Sequence, residues 1–179
     1  MEKIHILTDS SADIPQELVE KYGIEIVPIT LTHDGRTIRE YYDITPEEYW
    51  KLLAESREIP TTAMVTPTVF LDSYRRAAER GCTHLLGVLI NANGSGTYQA
   101  ACLARDMFRA EYGDKMQIET LDSATYTYLY GHIGAIAPPI AAVGRSHQAS
   151  PPAVARRRRA RRACLRVRLL RAQPQDGLL

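Results

Sequence analysis

Residues 83–112 constrain the fold more than any other stretch. A continuous apolar run from Thr83 to Ile90 leads through Asn91-Ala92-Asn93-Gly94-Ser95-Gly96 into a helix-period stretch beginning at Thr97. An apolar run of this kind fits a strand covered on both faces, which requires helices or sheets above and below it. The following helix is expected over 97–112, with Ala101, Leu103, Ala104, Met107 and Phe108 turned inward and Arg105, Asp106 and Arg109 left to solvent. Gly94 and Gly96 lack the Cβ atoms that keep a ligand from the backbone, and they tolerate positive φ, leaving the Ser95 hydroxyl free between them. The first N–H groups of the helix have no intrahelical partners and its dipole favours negative charge, so a carboxylate or phosphate suits this turn. A tight turn with no ligand uses the same residues, and the other strand ends must decide.

Residues 3–8 read as a first strand, ending in Asp9-Ser10-Ser11-Ala12-Asp13 before a short helix from Pro15 to Tyr22. Asp9, Ser10 and Ser11 either cap that helix or line a site. Residues 24–32 are β-rich, and His33-Asp34-Gly35 predicts a hairpin returning over 37–40. Thr45-Pro46-Glu47-Glu48 carries a capping-box signature for a helix to about residue 56, whose Tyr49, Trp50, Leu52 and Leu53 are expected in the core. The proline-bounded stretch Pro60-Thr61-Thr62-Ala63-Met64-Val65-Thr66-Pro67 reads as a loop, with Thr66 capping the next helix and Thr62 lacking any local structural task. A last strand over 116–121 ends at Asp122-Ser123. Strands alternating with helices imply an α/β fold, a mostly parallel sheet with helices on both faces, whose ligands gather at the carboxyl ends of the strands. Asp9, Ser10, Ser11, the 91–97 turn, Asp122 and Ser123 all fall at such ends.

Composition divides the chain. Residues 1–122 hold twelve Lys and Arg against twenty Asp and Glu, a balance of −8, whereas 123–179 hold ten Arg against Asp176 alone, a balance of +9. A domain over 1–135 is therefore expected to give way to an Arg-, Pro- and Ala-rich tail over 136–179, with six arginines among residues 156–162. Such a tail fits a G+C-rich gene read out of frame, aberrant and disordered, better than a nucleic-acid arm: it has no interleaved aromatics and the preceding domain is acidic. Cys82, Cys102 and Cys164 lack metal-ligand spacing, and no histidine pair sits at i, i+4, so no metal or cofactor is expected. The unpaired cysteines, with no signal-like segment and no membrane-spanning run, fit the cytoplasm.

Thr8-Asp9-Ser10-Ser11-Ala12-Asp13, Tyr22-Gly23-Ile24 with Val27-Pro28-Ile29, the 60–67 stretch, Gly94-Ser95-Gly96-Thr97-Tyr98 and Leu121-Asp122-Ser123, in this order, resemble the DegV family of bacterial fatty-acid-binding proteins. The resemblance covers about the first 133 residues. It implies a two-domain protein holding a long-chain fatty acid such as palmitate and, in some members, presenting the acyl carboxyl to a fatty acid kinase, with no chemistry of its own. The second domain has no counterpart in this sequence. The family's carboxylate ligands fall on Thr62 and Ser95, with Gly94, Gly96 and Thr97 as surrounding residues, while Ala63 and Met64 stand where the motif has Ser and Gln.

Two rival readings use the same turn. A serine hydrolase would pair Ser95 with His132 and either Asp9 or Asp122, but the flanking glycines are one residue away rather than the two of a nucleophile elbow. A phosphate-ligand domain would use the helix N-terminus without the lysine of a nucleotide-binding P-loop.

Overall fold

The computed structural model describes residues 3–132, all within the compact unit Met1–Ala142. The tail expected over 136–179 lies outside the described residues. Four parallel strands form the main sheet in the order β2-β1-β6-β7: β1 Ile4–Asp9, β2 Glu25–Val27, β6 His84–Leu89 and β7 Gln117–Asp122. The second sheet is antiparallel, in the order β4-β3-β5, with β3 Thr30–His33, β4 Arg36–Arg39 and β5 Thr61–Ala63. The helices are α1 Gln16–Tyr22, α2 Pro46–Glu55, α3 Pro67–Glu79 and α4 Thr97–Tyr112, with a 3-10 turn at Ser10–Ala12 and a further helical stretch over 128–132.

Alternation along the strands builds a core on each face of the main sheet. Leu7, Leu85, Leu89 and Ile118 pack with Phe70, Tyr74, Ala101, Ala104 and Phe108 of α3 and α4. Ile6, Ile26, Val88 and Ile90 pack on the other side with Ala12, Val19 of α1 and Tyr130. Burying side chains the size of Phe70 and Phe108 stabilises by about 1.5–3 kcal/mol each, so the double-sided sheet is the main store of stability. The parallel α/β arrangement with helices on both faces is thus as expected.

Four details differ. The β-rich stretch 24–32 is two strands in two sheets, because Pro28 lacks the N–H needed to continue a ladder and the chain leaves the main sheet there. Residues 61–63, expected as loop, add β5 to the antiparallel sheet, with Thr62 opposite Leu31. Helix α2 forms with its predicted capping box, yet buries no side chain; Trp50 is 66% exposed, because amphipathicity records an apolar stripe and not what covers it. On α4 the inward stripe is Thr97, Ala100, Ala101, Ala104 and Phe108, while Leu103 and Met107 lie outside it, exposed. The hairpin at Asp34-Gly35 forms as expected, with positive φ at both residues.

Away from the sheet's carboxyl edge, one ion-pair network ties β1, β2 and α3 together. Glu25 accepts from His5 Nε2 at 2.7 Å, Ser73 Oγ at 2.6 Å, and the guanidinium groups of Arg76 at 2.8 Å and Arg80 at 3.3 Å. Burial alone would raise the Glu25 carboxyl, but the bonds from His5, Ser73 and Arg76 outweigh it and hold its pKa at about 2. Because the folded pKa lies below the ordinary 4.5, the stabilisation is full above that pH and is lost as the pH falls toward about 2. Denaturant unfolding across this window should show an acid-dependent loss of stability in the parent chain and a flatter profile in Glu25→Gln; parallel profiles would remove Glu25 as its source.

The segment after β7 is fastened as tightly. It becomes helical over 128–132, and a Cβ on Gly131 would collide with the backbone carbonyl of Ala12. Neither backbone can yield without moving the turn after β1. Gly131→Ala should therefore destabilise by about 1–3 kcal/mol, read as a drop in the denaturation midpoint; an unchanged midpoint would show that the two segments separate freely.

Candidate functional site

Parallel pairing puts the carboxyl ends of β1, β6 and β7 side by side, and side-chain carboxylates stitch them together. Asp9 is fully buried. Its Oδ2 accepts the Ile90 N–H at 2.9 Å, and its Oδ1 accepts the Ser11 N–H at 3.2 Å, the Ser11 hydroxyl at 2.9 Å and the Tyr130 hydroxyl at 2.6 Å. Burial, then the neighbouring Asp9 charge, pushes the Tyr130 phenol far above its ordinary range, so it stays a donor. Asp122 does the corresponding work on the other side of β6, its Oδ1 accepting N–H groups of Ala92 at 3.0 Å and Ala124 at 2.8 Å. The Ser123 N–H donates to the Leu89 carbonyl, and its hydroxyl donates to the Thr125 carbonyl. The three strand ends expected to converge on one rim do so.

Ser10 and Ser11 both act within this frame. Ser10 is buried, accepts the Ile29 N–H at 2.9 Å and donates to Glu40 at 2.5 Å. Asp9 caps the 3-10 turn Ser10–Ala12, whereas α1 begins after Pro15 with no side-chain cap, so none of Asp9, Ser10 and Ser11 caps the helix they were expected to. Nearby carboxyls crowd: burial first, with the Asp13 and Asp9 charges adding and Ser10 opposing, raises the Glu40 carboxyl, and burial followed by Asp9 raises that of Asp13.

The turn between β6 and α4 is closed by its own backbone, the N–H groups of Gly94 and Ser95 donating to the Asn91 carbonyl at 3.0 and 3.2 Å. Ser95 is half-buried at the start of α4. Its hydroxyl is not free as expected: it pairs with the Thr97 hydroxyl at 2.9 Å and accepts the Thr97 N–H at 3.3 Å. Thr97 is fully buried, so the Ser95 oxygen is the outward end of a two-hydroxyl relay at the helix N-terminus.

Neither Gly94 nor Gly96 has the positive φ that the turn seemed to need. Neighbouring side chains occupy the space beside them instead. A Cβ on Gly94 would overlap the Tyr126 hydroxyl, and one on Gly96 would overlap the Met64 sulfur. Tyr126 reaches over from the segment after β7 and also accepts from the Asn91 side-chain amide at 3.3 Å. Met64 follows β5 directly and is 49% exposed. Its contact with Gly96 seats the end of β5 against the Ser95 turn. Thr62, exposed on β5, is two residues away, at most ~7 Å of backbone.

Sequence reasoning missed Met64, Tyr126 and Tyr130 as residues of this rim. Tyr130-Gly131 offered one signal, an aromatic beside a glycine, and Met64 stood at a position of the family motif; Tyr126 offered none, since only tertiary contact gives it a role. Exposed apolar surface flanks the turn at Met64 and Tyr126. Two cavities lie elsewhere, one of about 680 Å³ beside His33, Lys51 and Ser56 and one of about 360 Å³ beside Pro28, Val69 and Arg76. Neither is lined by Thr62 or Ser95.

The hydrolase constellation is not assembled. Ser95 pairs with a threonine, Asp9 and Asp122 are engaged by backbone amides and hydroxyls, and the His132 ring lies 6.0 Å from that of Tyr128. Among the described residues, no group of three or more His, Cys, Asp or Glu could hold a metal ion, and no helix is long and apolar enough to cross a membrane.

Comparison with known proteins gives this rim a family context. A DegV domain-containing protein of Caldanaerobacter subterraneus is 37% identical over 148 residues, spanning 83% of this chain and 50% of that protein. A solved DegV family protein from Thermus thermophilus, described by its fatty acid binding, is 29% identical, has a TM-score of 0.73 and overlaps 89% of this chain and 54% of its own. A stearic acid-binding protein from Eubacterium ventriosum is 27% identical with a TM-score of 0.66, overlapping 76% of this chain and 47% of its own. The chain thus spans about half the length of the relatives it matches. The family model described as "Uncharacterised protein, DegV family" matches residues 3–171, and the chain belongs to the DegV family.

Proposed function

We propose that this chain binds a long-chain fatty acid, palmitate serving as the model ligand, with the Ser95 and Thr62 hydroxyls donating to its carboxylate beside the N-terminus of α4. The observation that carries the reading is the Met64–Gly96 contact, which sets the strand of Thr62 against the turn of Ser95. Helix polarity supports a carboxylate here: the positive end of the α4 dipole lies beside Ser95, and its N-cap, Gly96, provides no side-chain cap. The exposed apolar residues beside the turn offer the first methylenes a surface, and the fatty-acid-binding relatives supply the ligand class. Gly94 leaves room for Tyr126, while Asp9, Ser10, Ser11, Thr97, Asp122 and Ser123 hold the rim in shape. No step of covalent chemistry is assigned to the chain. In this reading it acts in the cytoplasm as a carrier that offers the acyl carboxyl to a fatty acid kinase, a role inferred from the family resemblance.

Magnitudes divide the labour. A charge-assisted hydrogen bond contributes about 1.5–3 kcal/mol, whereas each buried methylene contributes about 0.8 kcal/mol before the costs of association. The hydroxyls therefore orient the head and the acyl chain supplies most of the affinity. Mass spectrometry of the purified 179-residue chain should find co-purified fatty acid, and calorimetry should show palmitate affinity falling about tenfold or more in Ser95→Ala and in Thr62→Ala. Affinity unchanged in both variants would exclude these contacts; displacement of the lipid by inorganic phosphate would favour the phosphate-ligand reading.

A further inference from the structure

Two hydroxyls meet at the start of α4, and only one arrangement of their protons leaves neither stranded. Ser95 Oγ lies 2.9 Å from Thr97 Oγ1, and either oxygen can donate to the other. Thr97 is fully buried, and among the described residues its hydroxyl has no second partner. If Ser95 gave its proton to Thr97, the Thr97 proton would be buried without an acceptor, which is costly. In the reverse arrangement Thr97 donates to Ser95, and the remaining proton belongs to Ser95, which is half-buried and can give it to water or a ligand. The Thr97 N–H also donates to Ser95 Oγ, at 3.3 Å. A hydroxyl oxygen has two lone pairs. The two donors of Thr97 occupy both, so Ser95 keeps a proton to give and has nothing left to accept with.

We infer that Thr97 is a positioning residue for head-group binding: its buried hydroxyl donates to Ser95 and so commits the Ser95 O–H to an outside acceptor such as a carboxylate. The inference rests on the carboxylate reading above. Thr97 is itself held in place, since α4 begins at this residue and Ala100 and Ala101 bury the next turn of the helix. Linked hydrogen bonds polarise one another, so an oxygen that already accepts two becomes a better donor. Valine at position 97 would keep the branched shape and remove the proton that imposes this order. Ser95 would then regain a lone pair, and its O–H would be free to turn away from a ligand.

The test is a double-mutant cycle in palmitate affinity, measured by calorimetry on the full 179-residue chain. Thr97→Val should lower the affinity about fivefold, and Thr97→Ser, which returns the hydroxyl, should bind within about twofold of the parent. In a chain already carrying Ser95→Ala, adding Thr97→Val should lower the affinity by less than about twofold, because no Ser95 proton remains to be directed. The inference is overturned if Thr97→Val binds as the parent does, if it lowers the affinity equally with and without Ser95, or if Thr97→Ser binds no better than Thr97→Val. Circular dichroism checks the fold of each chain, and Thr97→Ala is the hydroxyl-free variant should Thr97→Val not fold. Loss of fold in both would itself overturn the positioning role by making Thr97 a structural residue. Failure of the underlying reading is separate: there Ser95→Ala alone leaves palmitate affinity unchanged.

Discussion

The rim depends on one buried carboxylate. Asp9 ends β1 with no exposed surface, and its two oxygens take four donors: Ile90 at the exit of β6, both donors of Ser11 in the following turn, and Tyr130 beyond β7. A buried carboxylate with fewer partners would be expensive to keep ionised, so the donors and the charge require each other. Their joint effect is geometric. The Ile90 amide is fixed one residue before the turn that presents Ser95, and Tyr130 draws the last described segment onto the same point. Among the described residues, backbone amides and hydroxyls rather than cations donate to this carboxylate.

That arrangement has a cost close by. Glu40 and Asp13 stand near Asp9, and burial together with like charge raises both carboxyls. A carboxyl with a raised folded pKa binds more protons folded than unfolded, so its contribution to stability diminishes as the pH rises through the window above its ordinary value. Glu25, held low by three kinds of donor on the other part of the sheet, runs in the opposite direction. The fold thus combines an ion-pair network that favours neutral pH with a crowded acidic rim that does not, and the crowding lies where the strand ends must meet.

Much of this fold was legible because it obeys local rules. The capping box at Thr45, the hairpin at Asp34-Gly35, the apolar run of β6 and the α4 boundaries all follow from backbone angles and periodicity, which a sequence states directly. The failures share a different cause. Trp50 and Leu103 carry the right character for a core but lie where nothing among the described residues covers them, and β5 forms only because β3 offers it an edge. The turn glycines were identified for the wrong reason: their φ values are ordinary, and Tyr126 and Met64 explain them. Glycine in a sequence announces that something comes close, and only tertiary contact says what.

The same distinction bears on how binding is divided. The head of a fatty acid needs a few groups held at fixed positions, and this half-length chain places Ser95, Thr97 and the start of α4 in a rigid setting of its own. The tail needs area. Here Met64 and Tyr126 beside the turn remain open, and the two cavities beside His33 and Val69 lie away from it. A surface of this kind orients a lipid by its carboxylate before it encloses the chain, so head recognition and tail affinity become separable properties.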